Sequence, residues 1–131
     1  MTVLVDHDLE GYASLIWGVL SSEGWSDLME LLLTTFSDQG LPVNSKDRVV
    51  WRHVQAHGML LLTGNRNMDD EDSLEQTMRD ECTPTSLPVV TVGNTARLAE
   101  SSYRTRCAHS LVDLVLHMDQ YLGVPRVFIP D

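Results

Sequence analysis

The sequence predicts an α/β fold: a three-layer α/β/α sandwich around a mainly parallel sheet. Three observations predict it. Short apolar runs at residues 2–6, 59–65 and 88–92 read as strands buried on both faces. Helical periodicity fills the intervals between them. Glycines and polar turns punctuate the joins, and strands alternating with helices imply parallel crossovers.

The elements follow in order. "VLVDHDLEG" (3–11) takes the first strand into an acidic turn. Residues 10–23 carry Tyr12, Leu15, Ile16, Val19 and Leu20 at helical spacing, with Gly24 as the stop. "SDLMELLLTTF" fits either a helix opened by Ser26 or a strand. The loop chemistry of "SDQGLP" after it favours a strand around 29–35. "NSKDRVVWRHVQAHG" reads as a helix capped by Asn44 or Ser45, with Asp47 in its first turn and Gly58 at its end. A strand at 59–65 then runs into the carboxylate-rich loop "NRNMDDED". Ser73 and Gln76 form a capping box for a helix over 73–82. After the strand at 88–92, a long helix over 95–121 turns Leu111, Val112, Leu114, Val115, Met118 and Leu122 inward and stops at Gly123. "RVFIP" supplies a last short strand.

The length of 131 residues suits a single domain over 1–131, and 43% hydrophobic with 21% charged residues is ordinary for a globular protein. No apolar run approaches the ~20 residues that span a bilayer, and no basic segment precedes the first apolar stretch as in a secretory signal. Cys82 and Cys107 make no disulfide framework, so reduced thiols in the cytoplasm are expected. The net charge is −10, with Lys46 the only lysine beside eight arginines. That balance argues against a whole-surface attraction for nucleic acid. Only the pairs Arg104/Arg106 and Arg48/Arg52 offer local positive charge. Part of the acidity suits a carboxylate cluster built for a cation.

In parallel sheets ligands bind beyond the carboxyl ends of the strands. Asp6 and Asp8 follow the first strand; Thr63, Asn65, Asn67, Asp69 and Asp70 follow the strand at 59–63; Thr91 and Asn94 lie at the end of the strand at 88–92. Asp47 begins a helix that should start on the same edge. Asp6, Asp47 and part of "GNRNMDD" can therefore converge. Carboxylates brought together repel unless a cation neutralises them, and an oxygen-donor set suits Mg²⁺ or Mn²⁺.

Three quoted segments carry a family resemblance. "VLVDHDL" resembles the opening of PIN-like domains, where the first strand ends in an aspartate followed by a helix. "SKDRVVW" resembles their Ser-Asp helix start with one residue inserted, and "LLLTGNRNM" resembles a strand ending near Thr-Asn-Asp-Arg-Asp-Phe. The likeness covers residues 2–70. It implies a PIN-like α/β domain related to the short toxin-type members of toxin–antitoxin pairs. The implied activity is that of an endoribonuclease that uses Mg²⁺ or Mn²⁺ to direct water at RNA phosphodiesters. Carried over, Asp6 and Asp47 match family carboxylates, while Asn65 and Asn67 stand where aspartates are usual. Asp69 or Asp70 would then complete the metal cluster. The family also implies an RNA substrate, a small antitoxin-like partner and a homodimer. With the two asparagines, the alternative is a catalytically degenerate PIN-like scaffold that binds a protein or RNA.

Asp-x-Asp at Asp6 and Asp8 also resembles the first motif of haloacid-dehalogenase-like phosphatases, with Asp6 as nucleophile and Asp8 as general acid. That mechanism needs a lysine downstream of the Thr63 strand, whereas Lys46 lies upstream. A receiver-type phosphorylation domain fails for want of an acceptor aspartate at a middle strand end and a late lysine. The remaining features have plain structural readings. Asp47 and Asp69–Asp72 favour helix N-termini. The spacings His53/His57 and His109/Asp113/His117 match exposed helix faces, as does Arg104/Arg106, and Trp17, Trp25 and Trp51 suit core or interface anchoring.

Overall fold

A computed structural model describes residues 1–64 and 73–130. Five strands, β1 (Thr2–Val5), β2 (Leu32–Thr34), β3 (Leu60–Thr63), β4 (Val89–Val92) and β5 (Arg126–Ile129), form one sheet in the order β2-β1-β3-β4-β5. Every neighbouring pair is parallel. The expected α/β/α architecture is observed. β1, β3 and β4 are apolar on both sides because both faces are covered, and Val3, Leu4, Val5, Leu60, Leu62 and Val90 are all buried.

The helices are α1 (Glu10–Ser22), α2 (Trp25–Leu28), α3 (Asp47–His57), α4 (Leu74–Glu81) and α5 (Ser101–Leu116). Alternation along the strands sends Val3, Val5, Leu60, Leu62, Val90 and Val92 to one face, where Ala13, Ile16 and Leu20 of α1 meet Tyr103, Cys107, Ala108 and Leu111 of α5. Leu4, Leu61 and Val89 point to the other face, under Val50, Trp51 and Val54 of α3 and Leu74 and Met78 of α4. The α1 and α5 crossovers share a face but run in opposite directions across the sheet, so they have opposite hands. The α3 and α4 crossovers match α1, which leaves α5 as the exception to a rule obeyed by about 98% of such units.

Several local expectations need correction. The expected strand at 29–35 is only the three residues of β2, preceded by the single turn of α2. Gly24 reverses the chain at φ 83° after α1, and the Trp17 indole N–H holds the Leu31 carbonyl at 3.3 Å, so only 32–34 reach the sheet. α3 is entered at Lys46 rather than capped by Asn44 or Ser45, because the Ser45 hydroxyl donates back to the Pro42 carbonyl at 2.6 Å. Ser73 does cap α4, accepting from the Gln76 amide at 3.1 Å, while the Gln76 side chain donates onward to Asp80 instead of returning to Ser73.

The expected helix over 95–121 is three pieces. A 3-10 segment at Thr95–Ala99 precedes α5, and another at Met118–Gln120 follows it. Glu100 is extended at ψ 125°, and Arg104 donates to the Leu98 and Ala99 carbonyls beside that break. Leu111, Val112 and Leu114 are buried as expected, but Leu122 lies past the helix and is 40% exposed. Among the described residues, no helix is long and apolar enough to cross a membrane.

Candidate functional site at the β1–β3 switch

The sheet order reverses between β1 and β3. From β1 the chain crosses outward to β2, and from β3 it proceeds the other way to β4 and β5. Such a switch point opens a crevice at the carboxyl ends of its strands. A cleft of about 470 Å³ lies here, within the range of small-molecule sites.

Its polar lining consists of Asp6, Asp8, Ser45, Asp47, Thr63 and Thr95, with Tyr12 at one wall. Asp6 leaves β1 with its amide still donating to the Leu62 carbonyl at 2.9 Å, so the sheet ladder sets where its side chain emerges. The next-door register of β3 places Thr63 opposite it, and the Thr63 hydroxyl donates to Asp6 Oδ2 at 2.7 Å across 57 residues of sequence. Asp6 Oδ1 has no hydrogen-bond partner among the described residues. Asp8 lies in the 3-10 turn that follows and is exposed.

Asp47 opens α3, which starts on this edge because the β2–α3 loop returns over it. Its Oδ2 accepts from the Leu74 amide at 3.1 Å, so one carboxylate both lines the cleft and holds the first turn of α4. Gly64 brings β3 close to Thr95, and a Cβ at that position would stand 2.5 Å from the Thr95 methyl. Phe36, Val50, Leu61 and Leu74 make a buried apolar floor.

Asp6 and Asp47 thus both line this cleft. Asn65, Asn67, Asp69 and Asp70 lie outside the described residues. Asp8, assigned by sequence only to the phosphatase reading, lines the same cleft, and its spacing two residues after Asp6 was the available signal. Ser45, Thr95 and Tyr12 were missed as cleft residues, since nothing local marks them. Of the other strand-end candidates, Thr91 is buried and accepts from Arg126, and the Asn94 backbone amide donates to the Tyr103 hydroxyl at 2.9 Å.

No lysine or arginine occurs among the described lining residues. Among the described residues, too, no three His, Cys, Asp or Glu side chains are grouped as a ready-made metal cage. Two carboxylates at the mouth of a wet cleft fit Mg²⁺ or Mn²⁺, which take one or two protein carboxylates and keep waters, better than Zn²⁺.

Several other charged groups among the described residues are engaged in internal pairs. Arg48 and Arg52 of α3 clasp Asp80 and Glu81 of α4, and the guanidiniums hold both carboxyls below their ordinary values. His53 and His57 stack at 4.2 Å, with His53 Nε2 3.0 Å from Gln39 Oε1; burial, aided by the His57 charge, lowers the His53 pKa. His109 pairs with Glu23 at 2.7 Å, and His117 Nδ1 lies 2.9 Å from the Asp113 carbonyl. Trp51 is buried, and Trp17 and Trp25 pack against the core. Burial pushes the Cys107 thiol up to about 11.

No family model matches the chain, and no curated protein or solved structure is significantly similar to it.

Proposed function

We propose that the chain is a PIN-like, Mg²⁺- or Mn²⁺-dependent endoribonuclease whose site is the cleft between β1 and β3. One observation carries this reading: Asp6 and Asp47, 41 positions apart, line one crevice at the switch point with no cationic side chain among its described lining. Among the described lining residues, a phosphodiester entering such a cleft meets only negative charge and neutral donors. It needs a cation brought from outside.

The residues divide the work. Thr63 orients Asp6 by occupying Oδ2, which leaves Oδ1 for a cation. Asp47 supplies the second carboxylate, steadied by the Leu74 amide. Asp8 adds negative charge at the mouth, and Ser45 and Thr95 offer hydroxyls to an RNA backbone or to water. When bound, the metal ion supplies charge neutralisation at the phosphodiester and an acidified water. The resemblance also supports a toxin–antitoxin setting, with a small protein partner, and a cytoplasmic location. The phosphatase reading is weaker, since Asp8 joins Asp6 in the cleft with no lysine or arginine among its described lining to steady a phosphorylated intermediate.

The test is calorimetric titration of Mn²⁺ into the wild type, Asp6→Asn and Asp47→Asn, followed by RNA cleavage with and without chelator. Both asparagines keep an oxygen that accepts the existing hydrogen bond, so the fold is preserved. Binding that falls at least about tenfold in each variant supports the site. A folded wild type that takes up no Mn²⁺ would replace this reading with the binding scaffold, which the asparagines at 65 and 67 already favour.

A further inference from the structure

A second cleft lies at the opposite edge of the sheet, where α1 ends, α2 turns and the second half of α5 passes. It encloses about 380 Å³ and is lined by Glu23, Trp25, His109, Val112, Asp113 and Leu116. The four α5 residues are three and four positions apart and so form one stripe along that helix. Trp25 rises from α2 as the opposite wall, and Leu28 stands three residues on, one turn along the same short helix. Leu28 is 75% exposed and Leu116 is 57% exposed, so two large apolar side chains face water, Leu116 in the groove lining and Leu28 one helical turn on from Trp25. Isolated exposed leucines need no explanation, but an apolar groove with a polar rim marks an interaction site.

Charge narrows the occupant. The groove lining falls within residues 23–25 and 109–116, and the surrounding stretches 1–45 and 107–125 contain no lysine or arginine. All nine of those residues lie at 46–106 or at 126, whereas nine of the nineteen Asp and Glu fall in the two stretches. Glu23 and Asp113 rim the groove, and the one histidine in its described lining, His109, is already engaged by Glu23. A second copy docking by two-fold symmetry would bring this acidic face against itself.

We infer that the groove receives an amphipathic helix of a protein partner, one that lays an apolar stripe against Trp25, Val112 and Leu116 and flanks it with Lys or Arg. Helix-in-groove recognition uses this combination of apolar anchors and complementary rim charge. The inference does not depend on the nuclease reading, because the groove shares no residue with the carboxyl-edge cleft.

Two labelled peptides of about 15 residues and identical Leu/Lys composition test it. In one, leucines recur at i, i+3, i+4 and i+7; in the other the order is shuffled so that no apolar face forms. Binding is read by fluorescence anisotropy at ~0.15 M salt, where unspecific attraction is screened. The patterned peptide should bind the wild type about tenfold more tightly than the shuffled one. The double variant Leu28→Ser, Leu116→Ser, altered only at exposed positions, should reduce it to the shuffled level. Equal binding of the two peptides, or no effect of the double variant, would overturn the inference. Sedimentation showing self-association that the double variant abolishes would also overturn it, making a second copy the occupant.

Discussion

Two sets of carboxylates in this molecule meet opposite surroundings. Asp80 and Glu81 at the end of α4 are matched by Arg48 and Arg52 of α3, and their charges are neutralised within the fold. Asp6 and Asp47 are held by a threonine hydroxyl and a backbone amide, both neutral. The first set stitches two helices together. In the second, the Thr63 hydroxyl and the Leu74 amide fix where one oxygen of each carboxylate stands in the cleft lining. Asp47 and Arg48 are adjacent in sequence, yet Asp47 lines the cleft and Arg48 does not. An acid answered by arginines on the neighbouring helix is a structural fastening, while an acid oriented at the cleft wall stands where the proposed cation would enter.

The largest effect expected from this contrast is metal-linked stability. Mn²⁺ at about 100 times its dissociation constant should raise the unfolding free energy of the wild type by ~2.7 kcal/mol. It should raise Asp6→Asn by no more than ~1.4 kcal/mol, the increment of a tenfold weaker site, and leave Glu81→Gln fully responsive, as read by urea denaturation. An equal increment in Asp6→Asn would erase the distinction between the two sets. Next in size, Thr63→Val removes the hydroxyl from Asp6 while keeping the shape of the buried side chain. It should cost about 1–3 kcal/mol because a part-buried carboxylate oxygen loses its donor. Thr63→Ser should restore most of that loss.

The paired acids should show a pH signature. The folded-state pKa of Glu81 lies below its ordinary value of 4.5, chiefly through its hydrogen bonds from Arg52 and Arg48. Its contribution is therefore fully present above that value and is lost as pH falls through the lowered one. Glu81→Gln should lower the urea midpoint at pH 7, and the difference from wild type should shrink below pH 4.5 and in 1 M salt. The smallest effect expected is at Asp8. Asp8→Asn relieves like-charge repulsion in the cleft and should stabilise the metal-free protein by a few tenths, at most about 0.5 kcal/mol. It should also reduce the Mn²⁺ increment. A loss of metal-free stability in Asp8→Asn would place Asp8 with the internally paired acids instead.

Much of the fold was legible because its signals are local. Buried parallel strands show as unbroken apolar runs, and the stops at Gly24, Gly58 and Gly123 show because each takes a positive φ that other residues resist. The break in the last helix was not legible. Residues 95–121 keep a helical pattern, and Glu100 in extended geometry, with Arg104 reaching back across the break, divides it first, with His117 dividing it again before the last 3-10 segment. Part of the cleft lining was legible too, through Asp6 at the end of the first strand and Asp47 at the start of a helix on the same edge. Ser45, Thr95 and Tyr12 carry no local mark, since their place in the cleft depends on which strands and helix ends meet there.

By itself the sequence determined the alternation of strands and helices, the two-sided burial of the central strands, and an aspartate where the first strand stops. Those features follow from periodicity and turn chemistry within a few residues. Tertiary structure alone decided the order β2-β1-β3-β4-β5, the opposite hand of the α5 crossover, and the sharing of one face by α1 and α5. It also decided that Thr63 would meet Asp6, and that an acidic groove would open from two stretches without lysine or arginine. Strand order and helix placement depend on which distant apolar faces bury each other best, and no short window of sequence carries that information.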